Sequence, residues 1–199
     1  MINELFDSIM LPDTDTVVRL HERLVNDAER DGLLDVCYRT VDSPYGALLL
    51  AATTQGMVRV AFDLEGHDAV LSNLAATISP RILQAPQRLD RAAAQLDEYF
   101  AGRRQRFELP LDLQLSHGFR RNVLVHLRDI EYGTTASYSA IAAAAGSPAA
   151  VRAVGSACAT NPLPILVPCH RVVRRDGSIG QYLGGTDTKR ALLAMESAA

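Results

Sequence analysis

Apolar residues recur at helical spacing between residues 13 and 30. Val17, Leu20, Leu24 and Ala28 form one stripe, and acidic residues gather near its start. The pattern predicts an amphipathic helix. The period then shortens, and Val36 to Val41, Ala47 to Thr53 and Met57 to Phe62 read as strands. Ser43-Pro44-Tyr45-Gly46 separates the first two and Gln55-Gly56 the next two, both with the residues that tight turns need. An antiparallel meander with one helical flank is expected. Helical spacing returns from Gln87 to Ala101, where Leu89, Ala92, Ala93, Leu96, Tyr99 and Phe100 share a face and Gly102 stands at the C′ position.

Arg103 to Leu115 alternates apolar and polar residues around Pro110 and suits an extended linker. Ser116 to Glu131 then predicts a helix with Phe119, Val123, Leu127 and Ile130 on one side. A turn at Gly133 leads to Ser137, the expected N-cap of a short helix ending at Gly146. Ser147-Pro148 predicts a second start, with Ser as cap and Pro at the first helical position. Helix, glycine turn and capped second helix outline a helix-turn-helix, which presents its second helix to a DNA groove. Two helices packed for stability alone share that outline. The expected fold is α/β (α+β). A helical extension over 1–34 precedes an α/β domain over 35–106, and a mostly helical domain carrying the helix-turn-helix follows over 107–199.

Composition alters this picture little. With 48% hydrophobic and 22% charged residues the chain resembles an ordinary globular protein. No apolar run approaches the ~18 residues of a membrane span. The start, Met1-Ile2-Asn3-Glu4-Leu5-Phe6-Asp7, lacks the basic and apolar regions of a signal peptide. A cytoplasmic location, no membrane partner and no obligate protein partner are expected. Charge is more informative once divided. Residues 1–110 carry 11 basic and 17 acidic side chains, net −6, whereas residues 111–199 carry 9 and 6, net +3. Any DNA-facing surface is therefore expected in the second half.

Three cysteines, Cys37, Cys158 and Cys169, cannot all pair. Cys37, in a strand-like run, and Cys158, on a helix, suit small buried hydrophobes. No Cys-x-x-Cys or His-x-x-x-His pair supplies a metal set, so neither metal nor cofactor is expected. Cys169 differs. It follows the proline-rich run Asn161-Pro162-Leu163-Pro164-Ile165-Leu166-Val167-Pro168 and precedes His170-Arg171-Val172-Val173. Prolines hold such a segment in a fixed, extended path. A thiol with an ordinary pKa needs a base or a cation to become a nucleophile, and His170 is adjacent. Neighbours in an extended chain face opposite ways, so a bridging water is one route between them.

Pro168-Cys169-His170-Arg171-Val172, with Asn161-Pro162 upstream and Tyr182-Leu183-Gly184-Gly185 beyond, resembles the O6-alkylguanine-DNA alkyltransferase family. The likeness is close over 107–196 and looser over the preceding meander. Tyr138, Arg152, Asn161, Lys189 and Glu196 all fall at family positions relative to Cys169. The resemblance implies irreversible transfer of the alkyl group from O6-alkylguanine in double-stranded DNA, and from O4-alkylthymine, to Cys169. The base is flipped out of the duplex first. Arg152 then fills the vacated space, while Ala153, Gly155 and Ser156 let the helix lie close to DNA. Tyr138 turns the phosphate and supplies a proton to the leaving guanine. Glu196 orients and stabilises a cationic His170, which acts through water on Cys169, and Asn161 orders the connecting turn. Lys189, the only lysine, favours the thiolate. Val172, Tyr182, Leu183 and Gly184 form the base pocket.

Two positions depart from the family pattern. Leu183 stands where a small residue is usual, and Thr160 where glycine often precedes the asparagine. Residues 1–34 have no counterpart in the minimal family form, and the zinc ligands of some members are absent. Cys169 speaks against a non-catalytic lesion-binding protein, and a cysteine hydrolase using Cys169 and His170 lacks an oxyanion-hole signature or a remote histidine motif; a helix-turn-helix regulator that senses alkylation through Cys169 remains open.

Overall fold

The computed structural model describes residues 13–198. The leading segment read above as lacking a signal peptide lies outside the described residues. Helix α1 (Thr14–Arg30) starts where Asp13 Oδ1 accepts a hydrogen bond from Thr16 N at 2.6 Å. Its apolar stripe is not a core face. Val17, Leu20 and Leu24 are 49%, 59% and 52% exposed, and only Ala28 is buried.

Strands β1 (Val36–Val41), β2 (Leu48–Thr53) and β3 (Gly56–Phe62) form the expected antiparallel meander. Helix α2 (His67–Thr77) and strand β4 (Ile82–Gln84) were not foreseen; β4 pairs parallel to β1 and completes a mixed sheet of order β3-β2-β1-β4. The pattern did contain a hint. Leu48-Leu49-Leu50-Ala51 is continuously apolar because both faces of the sheet are covered. Leu48 and Leu50 enter the main core, while Leu49 and Ala51 meet Val70 and Leu74 of α2 in a second cluster.

A 3₁₀ turn (Pro86–Leu89) precedes α3 (Asp90–Phe100), so the helix expected from Gln87 starts later. The Arg103–Leu115 segment is extended but not free. Met57 N donates to Pro110 O, and Asp112 N to Met57 O, both at 2.8 Å, which caps the β3 edge. Gly56 permits this approach, since a Cβ there would lie 2.3 Å from Pro110 O.

Beyond it, α4 (Gly118–Leu127) is shorter than the expected Ser116–Glu131 helix. Ser137 Oγ caps α5 (Tyr138–Ala144) by accepting from Ala140 N at 3.1 Å. The Ser147-Pro148 start is corrected: residues 147–150 form a turn, closed by Ala150 N donating to Ser147 O, and α6 begins later, spanning Val151–Ala159. Both α5 and α6 pack on α4. A two-residue parallel ladder joins β5 (Ala136–Ser137) to β6 (Val172–Val173). The last helix, α7 (Thr186–Ser197), follows Gly185, whose φ of 89° suits glycine. One hydrophobic cluster runs from Leu48 and Leu96 to Leu124, Val154, Val167 and Leu192, so both halves of the chain share a core.

Candidate active site

Residues 161–173 are buried without exception. Asn161 organises this segment. Its Oδ1 accepts from Leu163 N at 3.0 Å, and its Nδ2 donates to Val167 O at 2.9 Å and to Cys169 Sγ at 3.1 Å. Between these anchors Ile165 adopts a φ of 74°, rare for a β-branched residue and sustained only because its surroundings fix it. Cys169-His170-Arg171 is a 3₁₀ turn rather than an extended strand.

Burial pushes the Cys169 thiol up to about 11, although the Asn161 hydrogen bond and the Lys189 charge pull the other way. At neutral pH the resting sulfur is therefore a thiol. Lys189, 1% exposed, donates from Nζ to Val172 O at 2.6 Å, and burial lowers its own pKa. The β5–β6 ladder, pairing Ala136 with Val172 and Ser137 with Val173, carries Tyr138 to the same place, and Tyr138 packs on Gly180, where a Cβ would sit 2.7 Å from the phenol oxygen.

Glu196, on the final turns of α7, is 3% exposed and satisfies several donors at once. Its Oε1 lies 2.9 Å from His170 Nε2, 2.9 Å from Arg171 Nη2 and 2.6 Å from the Tyr99 hydroxyl; Oε2 accepts from Arg171 Nε at 2.9 Å. Burial opposes its charge, but the bonds from His170 and Arg171 prevail and hold the carboxyl down at about 2. His170 is fully buried, and that burial lowers its pKa. The carboxylate is thus shared between the Arg171 guanidinium and His170, and burial works against a charge on the imidazole while Glu196 favours one.

Arg152 is exposed on α6, Ser156 likewise, with Ala153 and Gly155 partly so; a Cβ on Gly155 would meet nothing within 4 Å. A groove of about 500 Å³ runs between Ala153, Ser156 and Thr160 and the start of α4 at His117 and Arg120. Val172 is wholly buried and contributes its carbonyl rather than its side chain. Tyr182 and Leu183 are partly buried against the core, with the Tyr182 ring 6.2 Å from His170. Gly184 abuts Phe62, whose ring a Cβ would approach to 2.7 Å.

Several residues at the site were not foreseen. Arg171 lay inside the motif without an assigned role. Tyr99 was assigned only to an apolar helix face, although a tyrosine there needs a hydroxyl partner. Phe62 and Arg59 of β3 gave no signal, because their partners lie far along the chain. Val60 N and Arg59 Nη1 both donate to Pro162 O, at 2.8 and 3.2 Å, and Arg59 pairs with Glu65. Thus the β3 edge fixes the residue next to Asn161. Cys37 and Cys158 are buried, as expected for structural thiols, and burial raises both pKa values. Among the described residues no helix is long and apolar enough to cross a membrane.

A buried thiol hydrogen-bonded to an asparagine, in the same buried segment as a histidine paired with a glutamate and with a buried lysine nearby, defines a cysteine-centred site. Comparison with known proteins agrees. Residues 36–113 match the 6-O-methylguanine DNA methyltransferase ribonuclease-like domain, and residues 118–198 match the 6-O-methylguanine DNA methyltransferase DNA binding domain. The methylated-DNA--protein-cysteine methyltransferase of Mycolicibacterium paratuberculosis is 43% identical over 165 residues, covering 80% of this chain and 91% of its own. The constitutive enzyme of that name from Bacillus subtilis is 39% identical, covering 80% and 94%. The crystal structure of Mycobacterium tuberculosis OGT in complex with DNA superposes with a TM-score of 0.72 at 39% identity, covering 81% and 93%. This chain belongs to the 6-O-methylguanine DNA methyltransferase family.

Proposed function

We propose that the protein repairs double-stranded DNA by moving the alkyl group of O6-alkylguanine onto Cys169, once per molecule. The observation that carries this reading is the Cys169 sulfur, buried and held at 3.1 Å by Asn161, with the His170–Glu196 pair beside it. As the flipped base enters, the thiol proton passes through water to His170. The sulfur's electron pair forms the new S–C bond, and the O6–C bond breaks. The released pair on guanine is protonated by Tyr138, leaving guanine and a thioether. A thioether has no easy hydrolytic exit, so the reaction stops at one equivalent.

Arg152 occupies the gap left by the flipped base, and the small residues Ala153, Gly155 and Ser156 bring α6 against the duplex as the second helix of a helix-turn-helix. Lys189 favours the developing thiolate. The loop of Tyr182, Leu183 and Gly184, over Val172, covers the base. Residues 107–199 act as the alkyltransferase domain, 35–106 as its sheet support and 1–34 as an extension. All three cysteines are free, the state a reducing cytoplasm maintains, and we place the protein there.

Incubation with duplex DNA containing O6-methylguanine, followed by peptide mass spectrometry, should place one methyl on Cys169 and none on Cys37 or Cys158. Methyl on either other cysteine, or turnover beyond one equivalent, overturns the assignment.

A further inference from the structure

Tyr99 belongs to α3, in the sheet-bearing half, yet its side chain is completely buried and ends in the site. Its ring packs against Phe100, Phe107 and Tyr132, with centroids 5.5, 5.2 and 6.2 Å away. Its hydroxyl donates to Glu196 Oε1 at 2.6 Å and sits 3.4 Å from His170 Nε2. A carboxylate can only accept, so the 2.9 Å contact between Glu196 Oε1 and His170 Nε2 requires the proton on Nε2. Nδ1 makes no hydrogen bond to the protein, and in the neutral ring it is then the acceptor.

We infer that Tyr99 is a positioning residue of the alkyl transfer: by sharing the Glu196 oxygen that His170 uses, it holds His170 neutral with Nδ1 free to take a proton. The inference rests on the proposed reaction. A donor to a carboxylate stabilises its charge and weakens its pull on the neighbouring imidazole proton. Arg171 acts on the same carboxylate from the Cys169 turn, at 2.9 Å through both Nε and Nη2. Gly133 N adds a bond to Oε2 at 3.3 Å. The other titratable groups facing the pair are Tyr132, Tyr182, Cys169 and, from α7, Lys189. Glu65, the next carboxylate toward Tyr182, is paired with Arg59. Among these groups, Tyr99 is the one that α3 supplies. Without its hydroxyl the carboxylate draws more strongly on the imidazole, and His170 charges at higher pH.

The test is Tyr99→Phe, which keeps the ring packing and removes one oxygen. The ¹⁵N shifts of His170 in the unreacted protein report its tautomer and protonation directly, without any substrate. The wild type should show the neutral Nε2–H form across the neutral range. In Tyr99→Phe the titration should move up by about half to one pH unit. The acid limb of the single-turnover rate on O6-methylguanine DNA should move with it, with the high-pH plateau kept within about threefold. A purely structural role lowers the plateau and leaves both titrations in place, and that result overturns the inference. So does a downward shift, or a wild-type His170 protonated on Nδ1. Failure of wild-type Cys169 to accept methyl would instead break the reading of the reaction, and the ¹⁵N titration still decides the role of Tyr99.

Discussion

The sheet half of the molecule buries hydrocarbon, while the segment from Asn161 to Val173, with α7, buries charge. Leu48, Leu50, Val58 and Val60 are fully enclosed and ask nothing of their neighbours but volume. Each contributes about 1.5–3 kcal/mol by leaving water. Asn161, His170, Lys189 and Glu196 are just as enclosed, and each has its protein partner. Such groups cost several kcal/mol if a partner is lost. The two regions are nevertheless interdependent. Tyr99 reaches the carboxylate from α3, Arg59 and Val60 hold Pro162, and Phe62 presses on Gly184. Most of the candidate site residues lie in the second half, but several of the contacts that keep them in place come from the first.

That division can be broken most sharply at Glu196. Glu196→Gln leaves Arg171 buried beside a neutral amide and His170 with a weaker orienting acceptor. Unfolding in denaturant should show a loss of about 3–5 kcal/mol, and the transfer rate should fall with it. A loss below ~1 kcal/mol would mean that the pair matters little to the fold.

Acid offers the same test without a substitution. The folded pKa of Glu196, about 2, lies below its ordinary 4.5, so its contribution is complete above the unfolded value and is lost as pH falls through the folded one. His170, whose folded pKa is also lowered, acts in the same sense once pH drops below its ordinary 6.5. Stability should therefore fall by up to ~3 kcal/mol between about pH 6 and 2, and Glu196→Gln should flatten much of that slope. An equally steep profile in the variant would place the acid sensitivity elsewhere.

A smaller effect is expected at the seam between the halves. Arg59→Ala removes a donor to Pro162 O and leaves Glu65, 14% exposed, without its cation. A cost of about 1–3 kcal/mol and a slower transfer on both duplex DNA and free O6-benzylguanine should follow. Slowing confined to the duplex would show that the β3 edge serves DNA contact rather than the site.

Leu183→Ser should raise the rate with O6-benzylguanine more than with O6-methylguanine DNA, because only the bulkier group competes for the leucine's space. An unchanged ratio would show that Leu183 faces away from the base. Least of all should Arg152→Ala affect the fold. An exposed helix arginine is worth under about 0.5 kcal/mol to stability, yet the variant should lose much more rate on duplex DNA than on free O6-benzylguanine. Equal losses on both substrates would move Arg152 from DNA engagement into the chemistry.

The comparison of halves also explains what could be read from the chain. The β1–β3 meander, the extended linker and α5 with its Ser137 cap follow from local spacing and turn residues, which act over a few positions. Cys169, His170, Asn161, Lys189 and Glu196 were legible through a motif, and the fold does bring them together. Local pattern failed where tertiary packing decides. α2 has a weak apolar stripe, and its place is set by the second face of the sheet. The strong stripe of α1 stays largely in solvent, because the sheet core is already filled by other elements. The chain by itself thus determined the candidate cysteine, the histidine beside it and the order of most elements. Only the folded structure decided that Arg171 balances Glu196, that Tyr99 shares its oxygen and that the β3 edge holds Pro162. Those contacts join residues 25, 97 and 103 positions apart, and no local preference encodes a hydrogen bond across such distances.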